Sequence, residues 1–290
     1  MAKTKKITFI DLFAGIGGFH IAFVNLGAEC VWACEWDKFA RMTYEENFKS
    51  EHPELFKDGN FAGDITKVDP ESIPDFDILT AGFPCQPFSQ AGKKMGFEEI
   101  RGTLFFNIAE ILRVKRPKAF FLENVRHLRN HDGGRTFATM KRIIEELGYS
   151  FKADIVKASD FGLPTHRPRL FMVGFLNQDI PFKFPDKQRL TLTMSDIFGG
   201  ECDRIIGYTL RVGGKSSGMD DRRNWDAYLV DGKVRIISVP EAKKLMGFPD
   251  EFVFPVSNTQ AMKQLGNSVA VSAVQATAAK VIEALKKYDK

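Results

Sequence analysis

The sequence predicts an α/β fold: an open sheet with helices on both faces, plus a smaller module of mostly β or irregular structure. Three observations support this. A strand, a Gly-rich turn and a helix open the chain between Ile7 and Gly27. Short apolar runs then recur, each ending in a carboxylate or in a Cys loop. From Pro181–Pro185 to about Gly232 that strand–helix rhythm is lost.

A chain of 290 residues is long enough to bury a real core, as one large domain or as one domain with a small companion. Its 44% hydrophobic and 27% charged content are ordinary for a globular protein and exclude a disordered one. No apolar run approaches a membrane span in this reading. The basic start, Met1-Ala2-Lys3-Thr4-Lys5-Lys6, has no signal-peptide core, so a cytoplasmic protein is expected. Cys30, Cys34, Cys85 and Cys202 show no C-x-x-C pairing, so neither a metal site nor a disulfide framework is expected. A net charge of +4 permits a nucleic-acid partner without demanding one.

Ile7–Phe13 is a near-continuous apolar strand, and Ala14-Gly15-Ile16-Gly17-Gly18 follows as a tight turn. Phe19, Ala22, Phe23 and Leu26 have helical spacing, with Gly27 as a C-cap. Such a unit suits a nucleotide-like ligand, because glycines let the backbone approach it and a helix N-terminus presents free N–H groups. The turn lacks the Lys-Ser/Thr of a phosphate-gripping loop and a full G-x-G-x-x-G. The second strand, 29–34, ends in Glu35-Trp36-Asp37. An acid there is placed to hold a ribose diol, and Trp36 offers a face for adenine. The plainer alternative is a helix-start acid beside a core Trp. Asp64, after Ala62-Gly63, is either a second ligand acid or a turn Asp.

Phe76–Ala81 reads as a buried strand stopped by Gly82-Phe83-Pro84-Cys85-Gln86-Pro87-Phe88-Ser89. Cys85 thus stands in a rigid loop at a strand's carboxyl end, where chemistry gathers in open α/β sheets. A free Cys is more often a small core residue. Its Pro, Gln and Ser neighbours favour a nucleophile. The stretch 90–102, with three glycines and two lysines, reads as a lid. A helix from Leu104 ends before Pro117. The strand Ala119–Leu122 then ends in Glu123-Asn124-Val125. A Glu in that position is partly desolvated, which raises its pKa and suits it to hold or deliver a proton.

After a helix near 137–147 and a strand at 151–158, Arg167 and Arg169 lead into the strand 170–174. Two arginines alternating on one face suggest an oxygen-rich ligand. The stretch 207–218 is rich in Gly and Ser and carries Arg211 and Lys215, and Arg222, Arg223, Asn224 and Trp225 follow. Such loops suit readout of a DNA groove. The plainer reading is an ordinary insertion. A short capped helix at 240–249 and a long Ala/Val-rich helix to about Leu285 close the chain.

A nucleophilic Cys with a proton-holding Glu suits addition to an electron-poor ring. A cofactor with ribose and adenine but no phosphate grip suits S-adenosylmethionine. In this light the sequence resembles the bacterial DNA cytosine-C5 methyltransferases. The matching residues, in the family's order, are 11–18, Glu35-Trp36, Gly63-Asp64-Ile65, 82–89, 101–106, 123–125, Arg167-Pro168-Arg169, Gly247-Phe248-Pro249 and 264–269. The match is thinnest at about 180–232, where the family places its variable target-recognition region.

The resemblance implies a Rossmann-like S-adenosylmethionine-dependent methyltransferase sheet over 1–180, completed by the helix at 258–290, with a small target-recognition domain at 181–257. It implies that Cys85 attacks C6 of a flipped-out cytosine, that Glu123 contacts N3 and the exocyclic amine, and that Arg169 binds the O2 side with Arg167 placing the loop. The cofactor pocket would comprise Phe13, Ala14, Gly15, Ile16, Gly18, Glu35, Trp36, Asp64, Ile65, Phe83, Pro84, Leu104, Asn267, Ser268 and Val269. Contacts to double-stranded DNA would come from Gln86, Ser89, Lys93, Lys94, Arg211, Gly213, Gly214, Lys215, Arg222 and Arg223. A monomer without metal, acting as the modification enzyme of a restriction system, is the family's pattern.

Thr165 stands where the family usually has Gln, and Pro240 and Lys244 stand where it usually has Arg around the aligned Glu241. Three alternatives remain open at this point: the same chemistry on tRNA, a non-catalytic DNA-binding relative, and, from the Gly turn alone, a nicotinamide dehydrogenase.

Overall fold

The computed structural model describes residues 6–84, 102–212, 218–219, 221 and 223–288. Seven strands form its main sheet: β1 (Thr8–Leu12), β2 (Glu29–Cys34), β3 (Phe61–Ala62), β4 (Ile78–Gly82), β5 (Ala119–Val125), β6 (Lys152–Val156) and β7 (Arg169–Phe175). Their spatial order is β3-β2-β1-β4-β5-β7-β6. Strands β1 to β5 run parallel, and β7 is antiparallel to both β5 and β6. One edge of the sheet therefore gathers the carboxyl ends of β1, β2, β4, β5 and β6 and the amino end of β7.

The strands are apolar on both faces because helices cover both. Along β1, Phe9 packs into one core, and Ile10 and Leu12 into the other. The first core takes α1 (Gly18–Val24), α2 (Lys38–Phe48) and α8 (Val271–Tyr288), and the second takes α3 (Leu104–Lys115) and α4 (Arg135–Glu146). Local chemistry sets the helix ends. Asp37 accepts from the N–H groups of Phe39 and Ala40 at 2.9 Å and so starts α2. Thr103 accepts from Phe106 N–H at 3.2 Å to start α3, which stops at the left-handed Arg116 (φ 46°) before Pro117.

The remaining elements are α5 (Met194–Phe198), the hairpin of β8 (Ala227–Val230) and β9 (Lys233–Ile236), α6 (Val239–Leu245) and α7 (Asn258–Asn267). Asp231 and Gly232, both at positive φ (50° and 71°), form the hairpin's two-residue turn. Among the described residues, apolar side chains of the 181–257 region pack together with those of the main sheet. Phe198, Trp225, Tyr228 and Leu245 belong to the same apolar cluster as Phe9 and Val274.

The stretch Asn258–Tyr288 corrects one expectation. It is long and apolar enough to cross a membrane by length and hydropathy alone, but 61% of its apolar window is buried inside the protein, as in a core helix.

Candidate active site at the carboxyl ends of the strands

The chain leaves β1 in one direction toward β2 and β3, and returns on its other side with β4 and β5. The crevice outside the ends of β1 and β4 is therefore the topological switch point, where open α/β sheets bind ligands. The turn after β1 is forced tight, with positive φ at Phe13 (55°), Gly15 (58°) and Gly17 (88°). A non-Gly residue at positive φ stores strain, a frequent feature of functional turns. At Gly17 a Cβ would stand 2.2 Å from Phe48 Cε2, so the turn tolerates no side chain there.

Glu35, just beyond β2, holds this turn. Gly15 N–H donates to its Oε2 and Asp37 N–H to its Oε1, both at 2.7 Å. Burial raises its pKa, against the lowering effect of those two backbone donors. Each carboxylate oxygen retains acceptor capacity for a diol. Beside it Trp36 is 75% exposed, unlike the core Trp of the alternative reading, and leaves a bare aromatic surface at the crevice. Asp64 caps the short helical turn 65–67, accepting from the Thr66 N–H (3.0 Å) and hydroxyl (2.7 Å). These bonds, the hydroxyl's first, lower its pKa.

From the far end of the chain, Ser268 and Val269 close on this turn. A Cβ on Gly18 would meet Val269 Cγ2 at 2.5 Å and Ser268 Oγ at 3.2 Å. Asn267 is exposed at the end of α7. Ala14, Ile16, Ile65, Phe83 and Val269 are buried in the two cores, while Phe13 and Leu104 are half-buried. An acid with spare acceptors, an exposed aromatic face and a tight turn with no room for a side chain at Gly17 or Gly18 fit an adenosine-bearing cofactor.

On the other side of the crevice, Gly82 of β4 pairs in register with Glu123 of β5. Asn124, 1% exposed, donates from Nδ2 to Phe83 O at 2.8 Å. This bond ties the start of the Pro84 loop to the end of β5. Cys85, Gln86, Ser89, Lys93 and Lys94 lie outside the described residues, as do Gly213, Gly214, Lys215 and Arg222.

Glu123 is buried, with its Oε1 3.0 Å from Arg169 Nε. Burial raises its pKa and outweighs the lowering effect of Arg169 and, next, of Arg167. The carboxyl therefore holds its proton above the usual carboxylate range. Arg169 also donates to Pro168 O at 3.1 Å.

Arg167 differs from the expected pairing of two arginines on one strand face. Strand β7 begins only at Arg169, and Arg167 (φ 30°) turns inward to 1% exposure. Its guanidinium donates to Gly266 O (2.9 Å), Leu210 O (3.4 Å) and Ser268 O. Burial pushes its pKa down to about 9, which still leaves it cationic at neutral pH. It acts as a staple joining β7, the 207–212 segment and the α7–α8 link. Thr165 reinforces that joint by donating to Tyr208 O at 3.0 Å, and Lys244 joins α6 to α5 by donating to Asp196 O at 2.7 Å. Pro240 sits in the first turn of α6, where its missing N–H costs nothing.

Of the expected DNA-contacting residues that are described, Arg211 is exposed. Arg223 is already paired with Asp221 at 2.7 Å. Among the described residues no group of three His, Cys, Asp or Glu side chains could hold a metal. The roles of Asn124 and of the Arg167 staple were missed by sequence reasoning, since both depend on contacts with distant segments.

Known proteins resemble this chain over nearly its whole length. Residues 7–212 and 207–283 match the model of the C-5 cytosine-specific DNA methylases. The chain is 43% identical to the Type II methyltransferase M1.ScrFI of Lactococcus lactis subsp. cremoris, over 99% of this chain and 81% of that protein. It is 40% identical to the Type II methyltransferase M.HhaI of Haemophilus parahaemolyticus, over 94% of each. Among solved structures, a putative DNA modification methyltransferase encoded within an E. coli prophage superposes with a TM-score of 0.73 at 20% identity, covering 97% of this chain and 100% of that one. A Spodoptera frugiperda DNMT2 mutant does so with a TM-score of 0.72 at 19% identity, with the same coverage. The chain belongs to the C-5 cytosine-specific DNA methylase family, as an enzyme with S-adenosylmethionine as methyl donor and DNA as substrate.

Proposed function

We propose that Cys85 is the nucleophile and Glu123 the proton-holding partner in methylation of a cytosine flipped out of duplex DNA. The observation that carries this assignment is the pairing of Gly82 with Glu123. It starts the loop bearing Cys85, three residues on, beside a buried carboxyl whose pKa is raised. As thiolate, Cys85 adds to C6, and the electron pair of the C5–C6 double bond moves toward C5. Glu123, protonated, donates to ring N3 and so steadies the electron-rich ring. Arg169, at the entrance of β7, donates to O2 and, through its pair with Glu123, orients that carboxyl. Glu35, Trp36 and the turn 13–18 would hold S-adenosylmethionine, which would supply the methyl group for C5. Loss of the C5 proton to water then forms the C5–C6 double bond again, and the C6–S bond breaks to release Cys85 as thiolate. Extrusion of the base costs on the order of a few kcal/mol, since C6 is out of reach within the stack.

The exposed Arg211 at the end of the segment stapled by Arg167 supports target reading by 181–257. One chain carries every residue named here, which suits a monomer. The Type II methyltransferases among its relatives support a modification role in a restriction system, and DNA as substrate supports work in the cytoplasm. Labelled S-adenosylmethionine and duplex DNA should give 5-methylcytosine, with none from Cys85→Ala. Methyl on adenine, or on cytosine N4, would refute the reading.

A further inference from the structure

Several basic side chains of this protein are neutralised by an acid on the same helix. Lys49 pairs with Glu45, Arg113 with Glu110, Arg142 with Glu146 and Lys280 with Glu283, each three or four residues away. The segment that leaves β5 concentrates basic side chains with no such partner. From Val125 to His131 it reads Val-Arg-His-Leu-Arg-Asn-His, with no acid. The flanking acids are both engaged elsewhere, Glu123 with Arg169 and Asp132 with Arg135. Among the described residues neither the Arg126 nor the Arg129 guanidinium has a hydrogen bond or ion pair. Leu128 anchors the segment in the core at 1% exposure, while Arg126, His127, Arg129 and Asn130 are exposed. This unbalanced positive charge begins three residues after Glu123, at the active-site edge of the sheet.

We infer that Arg126 and Arg129 bind two phosphates of the DNA backbone flanking the target cytosine. The inference rests on the proposed DNA methylation. Unpaired arginines suit phosphate because their planar donor fork grips two oxygens at once. Backbone contacts of this kind fix the register of the duplex on the protein without reading its sequence. Held so close to Glu123, they set where the extruded base enters.

The test is the salt dependence of binding of the full-length protein to a mixed-sequence duplex, followed by fluorescence anisotropy. Each phosphate contact contributes about 0.9 to the slope of log K against log salt. The Arg126→Gln/Arg129→Gln double variant should be shallower by about 1.8, with a raised KM for DNA and kcat unchanged at saturating DNA. Arg126→Lys/Arg129→Lys should keep most of the slope, and Arg142→Gln, at a balanced pair, all of it. An unchanged slope in the Gln pair, or an equal loss in the Lys pair, overturns the inference. Failure of the unaltered protein to methylate DNA would instead overturn the proposed function.

Discussion

Arg169 Nε lies 3.0 Å from Glu123 Oε1, yet Glu123 keeps a raised pKa because burial outweighs the cation beside it. Burial and the guanidinium thus act on the Glu123 carboxyl in opposite directions. Arg169→Gln removes a charge that lowers the Glu123 pKa, so that pKa should move further up. Carbon-13 NMR of the labelled carboxyl checks the sign, and a downward move would show that the pairing is not what tunes it.

Glu123→Gln keeps the shape of the side chain but removes the transferable proton. Methyl transfer should fall by about 10²-fold or more, within the range of general acid–base contributions, with DNA affinity nearly unchanged. Single-turnover kinetics beside equilibrium binding separates the two effects. A loss confined to binding would assign Glu123 to docking alone.

Gly18 has no space for a side chain, with Val269 Cγ2 2.5 Å from the position of a Cβ. Gly18→Ala should push the α7–α8 link away from the turn. A cost of about 1–3 kcal/mol in stability is expected from such overpacking, together with weaker S-adenosylmethionine binding by calorimetry. Unaltered cofactor affinity would place the link outside the pocket.

Arg167→Met would leave three carbonyls near the joint without their donor. At about 1–3 kcal/mol for each buried unsatisfied group, a loss of several kcal/mol is expected in urea unfolding. Arg167→Lys should recover only part of it, since an ammonium cannot span Gly266, Ser268 and Leu210 at once.

Asp11 is fully buried beneath the turn, and burial pushes its pKa up to about 8, against the Thr80 hydroxyl that donates to it at 3.1 Å. A carboxyl whose folded pKa exceeds its unfolded one contributes stability that is complete below the unfolded pKa and lost as pH rises through the folded pKa. Stability should therefore decline between about pH 4 and pH 8. Asp11→Asn should flatten that decline in denaturant titrations at several pH values.

Much of the sheet was legible in the sequence because each apolar run ends at a residue that cannot continue it. Gly82 closes β4 and Glu35 follows β2 directly, whereas β5 runs on through Glu123 to Val125. Side-chain ties across distant segments were not legible. Asn124 reaches Phe83, and Thr80 reaches Asp11, only because β4 lies between β1 and β5. The spacing of Arg167 and Arg169 suggests one strand face, but spacing shows faces only where the backbone is extended, and at Arg167 it is not. The Asp231-Gly232 turn is a hairpin signature in the sequence itself. It is passed over when the region around it is read as irregular.

The central claim is a transient bond between Cys85 and C6 of a cytosine. Duplex DNA carrying 5-fluorocytosine at the target, incubated with the protein and S-adenosylmethionine, tests it directly, because fluorine at C5 cannot leave as a proton does. Mass spectrometry should find the DNA covalently attached at Cys85, and no adduct with Cys85→Ser. An adduct at another residue, or none while ordinary DNA is methylated at C5, would contradict the account.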